Sequence, residues 1–341
     1  GSSSDFHTFL RSKEYGAMKL MLYLVAGSVL AWIAILAVYV AGDQHSFLFQ
    51  DLQSADFTLG FQRFFFPFFM VGFGVLAGLW PFHTWSPDGH VAAPTSVSMV
   101  HAGVLMKLGA YGVIRSMEIL PQGAEDWMIV LIGLGTVNVI YGAISAMGQR
   151  DLKYVVGYSS VSHMGYVLMG IATLEPLGVG GAVLQMFSHG IMTALFFALV
   201  GVIYDRSHVR DISVLGGLSK RMGVTASFFA VAGLTSIGLP GLSGFISEFL
   251  VFAGTFRTYP LLGALAILGA GITAVYILRL IAKVFYGPLE PQWNHLTDAG
   301  AREKTAMAIL VLVLVMVGVW PWPIIRLIDN SVAILLTGMG I

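Results

Sequence analysis

Nine blocks of mostly apolar residues, most of them about 20 residues or longer, recur along this chain. The hydrocarbon core of a bilayer is about 30 Å thick, a distance that about 20 helical residues span. Backbone N–H and C=O groups cannot be left unpaired in lipid, and the blocks are too long for barrel strands, so they are predicted to be transmembrane helices. The blocks cover residues 18–41, 61–80, 94–117, 127–149, 152–171, 177–204, 224–254, 261–286 and 304–327.

Composition indicates the same class of protein. Of the 341 residues, 57% are hydrophobic and only 11% are charged. We predict an all-α membrane protein whose residues 1–341 form a single membrane domain within a lipid bilayer. The absence of Cys excludes disulfides, thiolate metal sites and cysteine-held iron–sulfur clusters on this chain. No nucleic-acid partner is expected, and the start Gly-Ser-Ser-Ser without Met suggests a fragment.

The distribution of Lys and Arg predicts the topology. If the first helix leaves from the inside, thirteen of the eighteen basic residues lie in inside segments, four lie at outside ends and one, Lys107, lies within the membrane. Cytoplasmic loops carry an excess of basic residues, so this distribution places the N-terminal end inside and the C-terminus outside. Loop 42–60 has three Asp and no Lys or Arg, and it is predicted to lie outside.

Two of the predicted helices are interrupted. The block 61–80 runs into W-P-F-H-T-W-S-P-D-G-H, with three prolines along it, and the block 224–254 has Pro240 among glycines. Proline removes a backbone donor and breaks or kinks a helix. Interrupted helices in corresponding halves of a bundle point to an inverted-repeat transporter with its ion path at the breaks. The alternative is that these residues serve helix packing alone.

Two charged side chains lie alone within apolar helices. Lys107 stands in H-A-G-V-L-M-K-L-G-A-Y-G and Glu248 in G-L-S-G-F-I-S-E-F-L-V-F. A Lys, Arg or Asp at the centre of a membrane helix costs about 2.5–3.5 kcal/mol on insertion scales, so such groups are rare and usually line a polar path. An acid and a base, each isolated near a broken helix, therefore predict proton or ion movement, with a purely structural charge as the alternative.

Further polar side chains recur at helical spacing in two neighbouring blocks. Residues three and four apart share one face of a helix, and His exchanges protons near neutral pH because its unperturbed pKa is about 6.5. We expect His163 and His189 to continue the polar path, with an interhelical hydrogen bond as the alternative role for each. Lys153, at a helix mouth beside Asp151, either transfers protons or anchors the interface. The two faces consist of Ser159, Ser160 and His163, and of Gln185, His189 and Thr193.

Five motifs, in order along the chain, resemble those of the antiporter-like membrane subunits of respiratory complex I. They are W-P-F-H-T-W-S-P-D-G-H-V-A-A-P-T-S, H-A-G-V-L-M-K-L-G-A-Y-G, D-L-K-Y-V-V-G-Y-S-S-V-S-H-M-G-Y, Q-M-F-S-H-G and L-P-G-L-S-G-F-I-S-E-F. A further segment, D-R-S-H-V-R-D-I-S-V-L-G-G-L, is most similar to the chain M type, the counterpart of mitochondrial subunit 4. Mrp cation/proton antiporters and membrane-bound hydrogenases share these motifs, so the resemblance is specific for the superfamily.

The resemblance implies an inverted-repeat bundle and a role for each candidate residue. Lys107 resembles the central lysine of the family's eighth helix, and Glu248 the terminal acidic residue of the broken twelfth. His163 and His189 resemble the histidines of the central hydrophilic axis, and Lys153 matches a basic position at the start of the tenth helix. Family members have fourteen helices, so the nine here would be the sixth to the fourteenth. The expected organisation is a polar inside segment at 1–17, the rest of the first repeat at 18–126, the second repeat at 127–286, and an inside loop, last transmembrane helix and outside C-terminus at 287–341.

The function that the resemblance implies is proton translocation within a complex I-type NADH-quinone oxidoreductase. The location it implies is a bacterial inner membrane or an equivalent energy-conserving membrane. Redox chemistry would take place on other membrane and peripheral subunits, which are the expected partners, and this chain would hold no cofactor, metal or redox centre. Two alternatives remain open. One is a subunit of an Mrp-type Na+/H+ antiporter or of a membrane-bound hydrogenase, and the other is a structural subunit with an inactive N-terminal half-channel.

The chain departs from the family pattern at one position. Family members usually carry a lysine in the broken seventh helix, a few residues before the P-F-H-x-W segment. Ungapped counting puts that position at Leu76, and F-F-F-P-F-F-M-V-G-F-G-V-L-A-G-L-W contains no basic residue. The N-terminal half-channel is therefore in doubt, whereas the path from Lys107 to Glu248 is expected to be intact.

Overall fold

A computed structural model describes residues 3–42 and 45–341, with side chains described from residue 13 onward. Within these residues the chain forms fourteen α-helices and no β-strand, which confirms the predicted all-α class. Residues 43 and 44 of the predicted outside loop, and the side chain of Arg11 counted in the topology, lie outside the described part. The helices are α1 (Ser3–Ala41), α2 (Phe49–Ser54), α3 (Leu59–Ala77), α4 (Trp85–Ala92), α5 (Thr95–Val100), α6 (Met106–Ile119), α7 (Pro121–Met147), α8 (Leu152–Ala172), α9 (Pro176–Ser207), α10 (Gly223–Ser236), α11 (Ser243–Thr258), α12 (Pro260–Phe285), α13 (Ala301–Val319) and α14 (Trp322–Met339).

The protein is a multi-pass integral membrane protein. Among the described residues, six continuous helical stretches are long and apolar enough to cross a membrane, and α13 with α14 makes a seventh if that bent pair is one span. The other two of the nine predicted spans are α8, whose Ser and His residues lower its hydropathy, and the pair α10–α11, whose halves have 14 and 16 residues. The division into two repeats stays a prediction.

Helices α8 and α9 form the centre of the bundle. Every residue of α8 except Tyr154 and Tyr158 is buried, and α9 packs against α5, α8, α10, α11, α13 and α14. Large apolar side chains on peripheral helices are exposed, among them Trp32 on α1 and Leu278 on α12. Exposed apolar side chains of this kind are suited to contact with lipid, so the polar residues of α8 and α9 lie as far from lipid as the bundle allows.

The first predicted interruption is confirmed between α3 and α4. Helix α3 ends at Gly78, which has a left-handed backbone (φ 80°), and α4 begins seven residues later. Asn138 of the neighbouring α7 is fully buried and bonds to the backbone just after the end of α3. Its Nδ2 donates to the Gly78 carbonyl over 2.8 Å, and its Oδ1 accepts from the Trp80 amide over 2.6 Å. One side chain thus pairs two of the backbone groups that the interruption leaves without a helical partner.

The second predicted interruption is confirmed between α10 and α11. Helix α10 ends at Ser236, and the connecting turn uses positive φ at Gly238 (75°) and Gly241 (93°), a conformation that glycine adopts readily. Helix α13 covers this turn closely, because a Cβ added at Gly318 would lie 2.3 Å from the Leu242 Cα. Leu242, where the turn meets α11, is therefore buried, whereas Leu239, Pro240 and Gly241 at the tip of the turn are exposed.

Two irregularities were not predicted. The predicted helix 94–117 contains a π-helical turn at His101–Leu105, between α5 and α6. The prediction of one helix over 304–327 is wrong, since α13 ends at Val319 and α14 leaves at an angle of 73°. Pro321 stands at this bend and cannot continue the hydrogen bonds of α13.

Replacing Asn138 with Ala is expected to destabilise the bundle. The Gly78 carbonyl and the Trp80 amide lose their side-chain partner, and each buried polar group left unpaired costs about 1–3 kcal/mol. The measurement is the free energy of unfolding in mixed detergent micelles. Thr136→Ala is the matched control on the same helix, because the Thr136 hydroxyl bonds only to the Ile132 carbonyl of its own helix. Equal losses in the two variants would contradict the role given to Asn138.

The predicted topology can be tested because the native chain has no Cys. A single Cys at exposed Ser54, in loop 42–60, is expected to react with a membrane-impermeant maleimide added from outside. A Cys at exposed Val214, in the loop after α9, is expected to react only from inside, since that loop joins two inside helix ends. Labelling of intact and inverted vesicles gives the answer, and the reverse pattern would overturn the topology.

Candidate functional site

The side chain of Glu248 is buried within the bundle and points to α8 and α9. It lies on α11, six residues after the second break ends at Leu242, and only 3% of the residue is exposed. Its Oε1 is 3.1 Å from Nδ1 of His163 and accepts from Nε2 of Gln185 over 3.4 Å. An ionised carboxylate can only accept hydrogen bonds, so the His163 tautomer that pairs with it carries its proton on Nδ1.

The ring of His163 connects both halves of the interrupted helix. Its Nδ1 faces Glu248 on α11, and its Nε2 lies 2.9 Å from the hydroxyl of Ser236, the last residue of α10. The ring is 1% exposed, because α8 is enclosed by other helices on nearly all sides. The sequence therefore places one imidazole against the break from the inside of the bundle.

His189 stands next to His163 across the interface of α8 and α9. The two ring centroids are 5.2 Å apart and the ring planes differ by 29°. The Nε2 of His189 lies 3.2 Å from the hydroxyl of Ser160, and its Nδ1 has no protein partner among the described residues. Ser160 and His163, three residues apart on α8, thus face α9 together, as the helical spacing predicts.

Lys107 reaches the same interior from the first turn of α6. Its Nζ donates a hydrogen bond to the Ala102 carbonyl of the preceding π-helical turn. Two glycines bring this segment close to α9, because a Cβ at Gly190 would lie 2.7 Å from the Gly103 carbonyl. The Lys107 Cε is 3.8 Å from the same Cβ position, one residue from His189. The structure thus brings Lys107, His189, His163 and Glu248 together in one row, in which His189 stands between Lys107 and His163. Their role in proton transfer stays a prediction.

Lys153 lies apart from that row, near the predicted inside end of α8. It is 5% exposed, and its Nζ donates to the Ala93 carbonyl over 2.7 Å and to the Ser98 hydroxyl over 3.5 Å. The carbonyls at the end of a helix carry partial negative charge, which favours a cation there. This contact with the end of α4 suits an anchoring role, and transfer of protons by Lys153 stays a prediction.

The polar residues predicted on α8 and α9 either bond to other helices or bond within their own helix. Gln185 belongs to the row, since it contacts Glu248 and accepts from the hydroxyl of Ser247. Ser159 accepts from the Tyr276 hydroxyl over 2.8 Å. Thr193, in contrast, bonds to the carbonyl of His189 within its own helix, which is a structural contact.

Sequence reasoning missed some of the polar residues of the site. Ser236 and Ser247 flank the second break in T-S-I-G-L-P-G-L-S-G-F-I-S-E, where their spacing from Glu248 was a usable signal. His90, the last His of the quoted W-P-F-H-T-W-S-P-D-G-H motif, is fully buried, and neither ring nitrogen has a protein partner among the described residues. Its ring lies 6.3 Å from that of His101, which places it near the π-helical turn before Lys107.

Comparison with known proteins places this arrangement in a family. The family model described as NADH:quinone oxidoreductase/Mrp antiporter, TM, matches residues 8–273. NAD(P)H-quinone oxidoreductase chain 4 1 of Synechococcus elongatus is 41% identical over 301 residues, which are 85% of this chain and 56% of that relative. NADH-quinone oxidoreductase subunit M of Rickettsia bellii is 39% identical over 281 residues, which are 82% of this chain and 56% of that relative. The chain thus spans a little over half the length of these relatives.

Solved structures show the same fold. A chain of respiratory complex I from Thermus thermophilus with bound NADH superposes with a TM-score of 0.90 at 26% identity, covering 96% of this chain and 69% of that chain. A chain of the Mrp complex from Dietzia sp. gives a TM-score of 0.86 at 16% identity, covering 95% of this chain and 70% of that chain. At 16% identity, the likeness to the Mrp chain concerns the fold alone.

Replacing Gly238 with Ala is expected to disturb the Glu248–His163 pair. A Cβ at this position would lie 3.1 Å from Oε2 of Glu248, so the carboxylate must shift. The measurement is the rate of proton transfer by the assembled protein in vesicles, which we expect to fall by about tenfold. The shift needed is a few tenths of an ångström, and a misplacement of about 1 Å at a reacting group costs about a hundredfold.

Gly241→Ala is the matched control for this variant. Both glycines have positive φ, so both substitutions strain the same turn, but nothing lies within 4 Å of a Cβ at Gly241. Both variants should lose similar stability, about 1 kcal/mol or more, and only Gly238→Ala should slow proton transfer. A similar defect in both would show that the strain, rather than the carboxylate, is responsible.

Proposed function

This chain belongs to the NADH:quinone oxidoreductase/Mrp antiporter transmembrane family, and on that premise we propose that it is a proton-translocating antiporter-like subunit of a complex I-type NADH-quinone oxidoreductase. The observation that carries the proposal is the buried row of Lys107, His189, His163 and Glu248. Four titratable groups in the interior of an apolar bundle are costly, and such groups mark proton or ion pathways in membrane proteins. The relatives named above are NAD(P)H- or NADH-quinone oxidoreductase chains, which favours redox chemistry on partner subunits as the energy source.

Proton transfer along the row uses short steps between nitrogen and oxygen atoms. A proton taken up on the inside reaches Lys107 and passes to His189, with the Ser160 hydroxyl and intervening water as relays. It then passes to His163, whose ring is 5.2 Å away, and from Nδ1 of that ring to Oε1 of Glu248 over 3.1 Å. Glu248 releases it towards the outside. Each step leaves the donor neutral or anionic and the acceptor protonated, so one positive charge crosses the bundle.

Changes in the charge of neighbouring groups drive these steps. Moving one elementary charge against 100 mV costs about 2.3 kcal/mol. Removing one partner of a buried charge pair costs about 3–5 kcal/mol, so forming or breaking a pair within the row supplies energy of the required size. When His163 is protonated, Glu248 is held as the carboxylate by the pair, and loss of the ring proton removes that stabilisation. Charge changes on a partner subunit would act on Lys107 in the same manner.

Lys153 has two possible parts in this scheme, entry of protons at the inside or anchoring of the end of α4. Its contacts with the Ala93 carbonyl and the Ser98 hydroxyl favour anchoring.

Leu76 is the observation that favours a second candidate function, a structural subunit with an inactive half-channel. It lies two residues before Gly78 at the first break, and after Arg63 helix α3 has no basic residue.

Glu248→Gln and Lys107→Ala are expected to reduce redox-driven acidification of vesicles by about a hundredfold, a typical contribution of a positioned proton-transfer group. Gln cannot take up the proton that His163 releases, and Ala removes the donor before His189. Assembly of the complex should survive, because neither side chain bonds to a helix break. The control is Glu118→Gln, a half-buried carboxylate paired with Arg115 away from the row; it should pump normally.

The same vesicles distinguish the candidate functions. Full pumping by both row variants would show a structural subunit. Wild-type acidification that follows an imposed Na+ gradient without any electron donor would instead show an Mrp-type antiporter.

A further inference from the structure

A second polar site lies away from the row, at the predicted inside ends of α7 and α12. A cavity of about 380 Å³ opens there between the two helices and the loop after α9. Half of the lining residues have polar side chains: Gln149, Arg150, Ser213, Tyr276, Arg279 and Lys283. The proposed proton path uses none of these residues.

The cavity has an excess of positive charge. Arg150, Arg279 and Lys283 are exposed, and no carboxylate among the described residues lies within ion-pair distance of any of them. The nearby acid is Asp211, whose Oδ1 accepts from the Ser213 amide over 2.7 Å and from its hydroxyl over 2.6 Å. The Ser213 hydroxyl and amide hold the pKa of Asp211 below its ordinary value, so it is ionised. One carboxylate against three cations leaves the site cationic.

An apolar margin of exposed side chains stands next to cavity-lining residues along α7 and α12, on the membrane side in the predicted topology. Ile144 and Met147 on α7 are 50% and 41% exposed, and Val275 and Leu278 on α12 are 58% and 53% exposed. In each helix the two residues are three apart and so share one face. In the predicted topology this margin lies at the depth of acyl chains, whereas Arg279 and Lys283, up to two turns further along α12, reach the level of the headgroups.

We propose that this cavity binds the phosphate of an anionic phospholipid of the inner leaflet, whose acyl chains lie along Ile144, Met147, Val275 and Leu278. Basic pockets between transmembrane helices on the cytoplasmic side recognise such headgroups, and Arg and Lys form charge-assisted hydrogen bonds to phosphate oxygens. The apolar margin favours a lipid over a free phosphate ion, which would gain nothing from it. The inference is independent of the proposed proton transfer.

The floor of the site connects it to the interior of the bundle. Tyr276 lines the cavity and donates its hydroxyl to Ser159 of α8. Ser159 stands four residues before His163 on α8, so Tyr276 connects the cavity to the helix that carries the proposed proton path. A lipid bound in the cavity would therefore lie against Tyr276, which is hydrogen-bonded to α8.

Photo-crosslinking tests the proposal on the full-length protein in its assembled complex, held in phosphatidylcholine nanodiscs. A phosphatidylglycerol probe with a photoreactive acyl chain should label residues 144–150 and 275–283, and a phosphatidylcholine probe should not. The double variant Arg279→Gln with Lys283→Gln should weaken the preference for phosphatidylglycerol by about 30-fold, the effect expected from two cations near a lipid surface. All the substituted side chains are exposed, so folding is not at stake.

The double variant Arg302→Gln with Lys304→Gln is the matched control. It removes the same charge from the inside surface at the start of α13, outside the cavity. Equal losses in the two double variants would reduce the effect to surface charge and overturn the proposal. Displacement of the probe by millimolar inorganic phosphate would show that the site takes free phosphate, and equal labelling by both lipid probes would show no anion site at all.

Discussion

A backbone group released from a helix inside a bilayer finds no water, so a membrane helix can be interrupted only where protein supplies the missing partner. Much else in this structure follows from that constraint. The first break depends on Asn138, which reaches across from α7 and bonds to two backbone groups just after the end of α3. The second depends on tight turns at glycine and on the close approach of α13 at Gly318. The first break therefore needs α7 as its neighbour, and the second needs α13.

The same constraint applies to the titratable side chains. Burying an isolated charge is costly unless it is paired and hydrogen-bonded, and Glu248 meets this condition through His163 and Gln185. Lys107 meets it through the Ala102 carbonyl in the π-helical turn. Bringing α9 and α11 together beside the carboxylate needs close backbone approach, which Gly181 permits, since a Cβ there would lie 2.6 Å from the Val251 amide nitrogen. Gly103 and Gly190 permit the same between the π-helical turn before Lys107 and α9. The polar row therefore depends on the close packing of the helices that carry it.

The sequence was sufficient for the features that lie within a single helix. The nine apolar blocks, both interruptions and the isolation of Lys107 and Glu248 are visible in one stretch of residues, and the resemblance of the motifs to a known family assigned roles to them. Asn138 was not predictable in this way, because its partners lie about 60 residues away in the chain. The polar face of α8 gave the positions of Ser160 and His163, but a helix buried on almost all sides carries no apolar periodicity to show which helix each face meets. The bend at Pro321 was missed because the apolar run continues through it.

His163 has one consequence for motion within the bundle. Its two ring nitrogens face Ser236 at the end of α10 and Glu248 on α11, so the halves of the interrupted helix are joined through a single imidazole as well as through the chain. Gain or loss of one proton by that ring changes which of its nitrogens can donate, and so changes its contact with both halves at once. The hydrogen bonds at both ends of the break thus share one imidazole.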